Sequence, residues 1–206
     1  VQTCALPIYQ FLSNGLDLND PGLVQVLDEL PLWSAPFGLK LLEGIEYKKG
    51  LKVLDIGFGT GFPLTELAMR LGKEAVICGI DPWGAAVDRT EKKLSVYGIT
   101  NVKIIRGSAE AIPLEDNSID LIVSNNGLNN VTDQEKVLSE CARILRHSGQ
   151  FIQTMNLEGT MTEFYKVMEK VLKERGLDQC VAMMHVHIHQ KRKPLEQYLE
   201  EIRTHG

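Results

Sequence analysis

Hydrophobic residues recur along this chain in two alternating periods. Short segments rich in aliphatic residues, bounded by glycine or polar turns, fall near 51–56, 75–80, 101–106, 119–125 and 149–155 and read as strands. Between them, apolar residues return at helical spacing near 61–71, 84–97, 133–146 and 160–175. The alternation of such strands with helices predicts an α/β fold: a parallel sheet with helices packed on each side. Leu71-Gly72, Tyr97-Gly98 and Arg175-Gly176 are helix stops, and Thr132 or Asp133 can cap the helix that follows them in the loop. Upstream, Asp20-Pro21 predicts a helix start, with Leu23, Val26, Leu27 and Leu30 as its apolar stripe up to Pro31. A second short helix is expected from Pro36 to Glu46, and a last one from about Pro194 to Thr204.

One strand breaks into glycines. Val53-Leu54-Asp55-Ile56-Gly57-Phe58-Gly59-Thr60-Gly61 reads as a buried strand, a glycine turn and a helix entry, which places bare backbone at the carboxyl end of a parallel strand, where nucleotide-like ligands bind. A phosphate-binding loop of the Gly-x-x-x-x-Gly-Lys type needs a lysine that does not follow here. A dinucleotide fingerprint needs glycine at the sixth position counted from Gly57, where this chain has Phe62.

Composition narrows the class further. With 206 residues, 44% of them hydrophobic, the chain can bury one substantial core. Its 22 Lys and Arg against 27 Asp and Glu give a formal charge of −5, so nucleic acid is not an expected partner. The cluster Lys191-Arg192-Lys193, followed by Glu196, Glu200 and Glu201, reads as a solvated helix entry. Cysteines 4, 78, 141 and 180 lack the spacing of a zinc site or a disulfide framework, which favours reduced thiols and a cytoplasmic location. No apolar run reaches the roughly 20 residues of a membrane span. Residues 1–8 lack an initiator Met and read as a non-native leader.

Asp55-x-Gly57-x-Gly59-x-Gly61 resembles the first motif of class I S-adenosylmethionine-dependent methyltransferases, in particular the small-molecule enzymes, and further motifs follow in order. The resemblance covers about residues 50–155 and implies a Rossmann-like, doubly wound parallel sheet with S-adenosylmethionine as cofactor. In that family the acid at Asp55 lies near the methionine end of the donor, and the loop Gly57, Phe58, Gly59, Gly61 lines it. Asp81, ending Ile77-Cys78-Gly79-Ile80-Asp81, corresponds to the acid that accepts the ribose hydroxyls, with Pro82 and Trp83 beside the adenine. Gly107-Ser108-Ala109-Glu110 resembles the adenine loop, where Ser108 stands in place of the usual Asp, the backbone of Ala109 faces the ring and Glu110 can share the contact. Asn125 and Asn126 follow the fourth strand at the border of the acceptor pocket.

The resemblance implies methyl transfer to a small-molecule acceptor, with O, N, C or S all open as the acceptor atom. Alternatives are a non-catalytic scaffold that keeps the crevice and, less favoured, an NAD-dependent oxidoreductase. Residues 9–48, with Tyr9, Phe11, Trp33 and Phe37, form a helical lid in this reading, and 49–206 the methyltransferase domain. The family's last two strands have no residues after Gly206, so the domain is expected to be C-terminally incomplete and the fifth strand an exposed apolar edge. His185, His187 and His189 alternate, which on an extended segment would set them on one side; a polar edge is the favoured reading, no metal is expected, and His187 and His189 are the weak candidates for a general base.

Overall fold

A computed structural model describes residues 17–29 and 34–205. The proposed leader, Tyr9, Phe11, Leu30, Pro31 and Trp33 lie outside the described residues. Residues 18–155 form one compact unit and residues 156–204 a second.

The first unit opens with α1 (Pro21–Asp28) and α2 (Ala35–Glu43). Asp20 caps α1 by accepting the amides of Gly22 and Leu23 at 3.2 and 3.1 Å, with Pro21 in the first turn, where its missing N–H is no loss. Then follow β1 (Lys52–Ile56), α3 (Leu64–Leu71), β2 (Val76–Asp81), α4 (Gly84–Val96), β3 (Val102–Arg106), β4 (Ile119–Asn125), a 3₁₀ turn (Gly127–Asn130), α5 (Gln134–Ile144) and β5 (Leu145–Thr154). The strands lie in the order β3-β2-β1-β4-β5 and every pairing is parallel. This is the doubly wound α/β sheet expected from the alternation. Successive residues of the central strands, including Val53, Leu54, Ile77, Ile122 and Val123, are fully buried, as two-sided coverage requires. The three predicted glycine stops at 72, 98 and 176 all adopt positive φ, and Asp133 caps α5 by accepting the amide of Lys136 at 3.0 Å.

The strand order reverses between β1 and β4, so their carboxyl ends flank a topological switch point. The backbones meet there. A Cβ on Gly57 would lie 2.6 Å from the Cα of Gly127, and one on Gly127 would lie 2.2 Å from the carbonyl oxygen of Ile56. Only glycine fits at either position. β5 is an edge strand, half-buried rather than exposed over residues 149–154, and it begins at Leu145, earlier than the apolar run predicts. Leu145 pairs with Ile119 directly after α5 ends, and the register shifts before Leu121 meets Gln150.

The second unit holds α6 (Thr162–Glu174), α7 (Asp178–Lys191) and α8 (Leu195–His205). Tyr165, Met168 and Met184 are buried together, with Leu172 and Ile188 against them. α7 corrects the extended reading of His185-Val186-His187-Ile188-His189: the segment is helical, so residues two apart point in different directions and the three imidazoles do not share one side. Val181, Met184 and Ile188 supply the helical spacing that the alternating histidines obscured. Arg192 is also corrected. Within the supposedly solvated cluster it is only 8% exposed.

Candidate functional site

The glycine loop after β1 is held from three sides. The amide of Gly57 bonds to the carbonyl of Ile80 at 2.9 Å, which joins the loop to β2, and the amide of Gly61 closes the turn on Phe58 O at 2.9 Å. Asp81 accepts the amide of Gly59 at 2.7 Å through one carboxylate oxygen and that of Trp83 at 2.8 Å through the other. The loop's carbonyls are tied to α4: Thr90 Oγ1 donates to Gly59 O at 2.9 Å and Lys93 Nζ to Thr60 O at 2.8 Å. Gly57, Gly59 and Gly61 all have positive φ, and nothing lies within 4 Å of a Cβ built on Gly59. The loop therefore offers open space at its centre on a fixed backbone.

Two carboxyl groups stand beside it. Asp55 is fully buried, and neither carboxylate oxygen has a hydrogen-bond partner among the described residues. Burial, then the charge of Asp81, pushes its pKa well above the usual carboxylate range. Burial also raises Asp81, against the opposing pull of its bonds from Trp83 and Gly59. An orphaned buried carboxylate is costly without a donor or cation to meet it, which marks Asp55 as a group with an unmet partner.

The loop after β3 is braced from α5. Glu140 accepts the amide of Ile112 at 2.7 Å, and Arg143 donates to the carbonyls of Ile112 and Leu114 at 2.9 and 2.8 Å. The Arg143 guanidinium holds the Glu140 carboxyl below its ordinary range, so this pair stays charged at neutral pH. Ser108 is exposed and Ala109 buried. Ser108 donates to Glu110, whose other oxygen accepts the amides of Thr132 and Asp133 at 2.8 and 3.3 Å. Glu110 is thus engaged in tying the loop to the start of α5, with little left over to share an adenine contact.

Other expected residues occupy less direct positions. Phe58 points into the core, where a Cβ on Gly79 would strike its ring at 2.7 Å, so only its backbone can line the crevice. Pro82 is exposed after β2. Trp83 donates from Nε1 to Leu18 O at 2.9 Å. Asn125 is buried, accepting from Thr154 Oγ1 at 2.7 Å and donating to Ser34 O at 3.3 Å. Asn126, at φ +61°, donates its amide to Thr154 and accepts from Asn129 at 3.1 Å. Both asparagines serve the loop's own conformation. His187 and His189 lie on α7 in the helical unit; His187 Nε2 is 3.4 Å from Arg192 Nη1, and burial followed by the Arg192 and Lys191 charges lowers its pKa.

The N-terminal segment reaches the same edge of the sheet. Gly38 of α2 packs so closely on Phe62 that a Cβ would lie 2.2 Å from the ring, and 3.0 Å from Asn125 Nδ2. Phe37 is 54% exposed. Asp28 at the end of α1 accepts from Arg89 Nε at 2.7 Å and from Lys93, the lysine that holds Thr60. Asp28, Thr90, Lys93, Gly127, Glu140 and Arg143 support the site unannounced by any local motif, because each acts on a residue at least 28 positions away in the chain.

The family model of a methyltransferase domain matches residues 47–202. The chain belongs to the class I S-adenosylmethionine-dependent methyltransferases. Relatives of this methyltransferase include the ubiquinone/menaquinone biosynthesis C-methyltransferase UbiE of Idiomarina loihiensis, 36% identical over 106 residues, which are 51% of this chain and 42% of the relative. The demethylmenaquinone methyltransferase of Geobacillus stearothermophilus is 34% identical over 109 residues, 53% of this chain and 47% of that one. The matched part is thus under half of each relative's length. A solved SAM-dependent methyltransferase from Aquifex aeolicus shares the fold with a TM-score of 0.60 at 24% identity, over 76% of this chain and 88% of that one. The family match removes the oxidoreductase alternative. Among the described residues no helix is long and apolar enough to cross a membrane.

Proposed function

We propose that this methyltransferase binds S-adenosylmethionine on the glycine loop and transfers its methyl group to a small-molecule acceptor. The observation that carries the reading is the open, positive-φ Gly59 between two buried carboxyl groups. The residues present fit the donor. An unpartnered, fully buried Asp55 suits a ligand with a cationic ammonium group, and a loop of Gly57, Gly59 and Gly61 lets a bulky nucleoside approach backbone. Asp81 spends one lone pair of each carboxylate oxygen on a backbone amide and keeps others to accept ribose hydroxyls. Ser108 and the backbone of Ala109 are the groups left for the adenine edge, since Glu110 is occupied. Asn125 and Asn126 act in this reading by shaping the end of β4.

The donor supplies a methyl group on a sulfonium, already activated for displacement, so the chain's task is to align the reactants and exclude water. Thr90 and Lys93 keep the loop carbonyls turned toward α4, and Asp81 fixes the amide of Gly59, so the loop needs little reordering when it binds. The segment carrying α1 and α2, packed on Phe62 and Asn125, is the water-excluding lid in this proposal. The names of the related enzymes make a quinone-type ring carbon the first acceptor class to test; the new carbon–carbon bond forms as the carbon–sulfur bond of the donor breaks, and the ring proton it replaces leaves to water or a base.

Isothermal titration with S-adenosylmethionine, with NAD alongside, tests the reading. Binding of S-adenosylmethionine near the micromolar range, lost in Gly59→Val and Asp81→Ala, is the expected outcome. Failure of the folded wild-type chain to bind S-adenosylmethionine would refute it.

A further inference from the structure

Arg192 ends α7 in the helical unit and is 8% exposed. A guanidinium carries five N–H donors and cannot lose its charge, so a buried one calls for acceptors. Among the described residues its side chain has one polar contact, the 3.4 Å approach of Nη1 to His187 Nε2, and its buried Nε has none. Its charge is instead placed over the ring of Tyr165, 4.8 Å from the centroid, which stabilises a cation but satisfies no N–H. Among the described residues no carboxylate pairs with it.

Arg192 and Tyr165 border a hollow of about 200 Å³ within the helical unit. Its wall includes Thr160, Lys166, Glu169 and His185. The hydroxyl oxygen of Thr160 accepts the amide of Leu157 at 3.1 Å, which leaves its O–H to donate. Glu169, the acid of the wall, is 2.7 Å from Lys173 and 3.5 Å from His185, so its charge is already matched. The wall therefore holds unmatched positive charge and free donors, with a volume that suits a small group rather than a nucleoside.

We infer that this hollow is a binding site for a small oxyanion, a carboxylate or phosphate group held by the Arg192 guanidinium with Lys166 and the Thr160 hydroxyl. A planar guanidinium grips two oxygens of such a group side by side through its terminal N–H donors. The hollow is lined by residues of the helical unit, and its occupant is either a free anion or the acidic end of a larger ligand.

The test is a titration of the full chain with inorganic phosphate, and separately with acetate, followed by the amide resonances of residues 159–166, with chloride at matched ionic strength as the blank. Saturable shifts with at least one of the two anions are expected. Arg192→Lys keeps the charge but loses the planar fork and should weaken binding about tenfold. Lys166→Gln, at an exposed position, should weaken it about threefold and needs no repacking. Tighter binding of acetate than phosphate would point to a carboxylate-bearing ligand, and the reverse to a phosphate. No shift with either anion would overturn the assignment, as would equal binding by the wild type and both variants, or by the wild type and Lys166→Gln if Arg192→Lys does not fold.

Discussion

Replacing Asp28 by Asn probes the link between the N-terminal helix and the glycine loop. The Asp28 side chain is 8% exposed and faces two cations, Arg89 and Lys93, whose side chains are 27% and 21% exposed. Breaking a fully buried pair from one side costs about 3–5 kcal/mol, mostly because a charge is left unpaired. Here both cations keep some water and Lys93 keeps Thr60 O, so we expect about 2 kcal/mol, or roughly 4–8 °C in Tm for a unit of this size. The pH dependence has a definite sign. Burial raises the Asp28 pKa, but hydrogen bonds from Lys93 and Arg89 outweigh it and leave the folded value below the ordinary one. The carboxylate's contribution is then complete above the unfolded pKa of about 3.9 and disappears as pH falls through the lower folded value. Thermal melts of the wild type and Asp28→Asn should differ fully at pH 7 and converge at the acid end, and the amides of residues 57–61 should exchange faster in the variant. Equal melting at pH 7 would refute the claim that this contact holds the segment in place.

Three further outcomes follow from the same geometry. Gly127→Ala puts a Cβ 2.2 Å from Ile56 O and 3.0 Å from Gly57 Cα, backbone on both counts, and should cost about 3 kcal/mol or more, seen as a lower midpoint in urea. Asp55→Asn should raise Tm at pH 8 in the absence of donor: the folded pKa lies above the unfolded one, so ionising Asp55 destabilises the fold as pH rises from about 4 through the folded value, and the gain should vanish near pH 4. Glu110→Ala removes the acceptor for Thr132 and Asp133 and should cost about 1 kcal/mol, measured by denaturant titration.

The sheet was legible because its signal is local. Central strands such as Val53–Ile56 and Leu121–Val123 are buried on both faces, so each is dominated by aliphatic residues, with Asp55 the charged exception, and glycines with positive φ mark the ends of the helices between them. Two of the errors arise where a local pattern competes with tertiary packing. His185-Val186-His187-Ile188-His189 alternates like a strand, yet Met184 and Ile188 pack on α6, with Val181 buried one turn before them, and that burial decides for helix. The start of β5 moved to Leu145 because Asn117 and Ser118 donate to the carbonyls of Arg143 and Ile144 at 3.0 and 2.8 Å, which terminates α5 from a distant loop.

The candidate site divides in the same way. Asp55, the three glycines and Asp81 lie in two short segments whose spacing is visible in the chain, and β1 and β2 pair so that Gly59 and Asp81 meet at 2.7 Å. What fixes those residues is not visible there. Lys93 and Thr90 sit on the same face of α4 because three residues make nearly one turn, and they reach consecutive carbonyls of the loop. Sequence alone shows them as an unremarkable polar pair on an amphipathic helix. Asn125 illustrates the converse, since its place at the end of a central strand marks it for ligand contact, while Thr154 and Ser34 take up its oxygen and its amide. Position at a switch point thus identifies where a ligand can bind, but the hydrogen bonds already made decide which side chains remain to bind it. By that criterion Asp55, with no partner on either oxygen, is the strongest side-chain candidate in the crevice, and Asn125 the weakest.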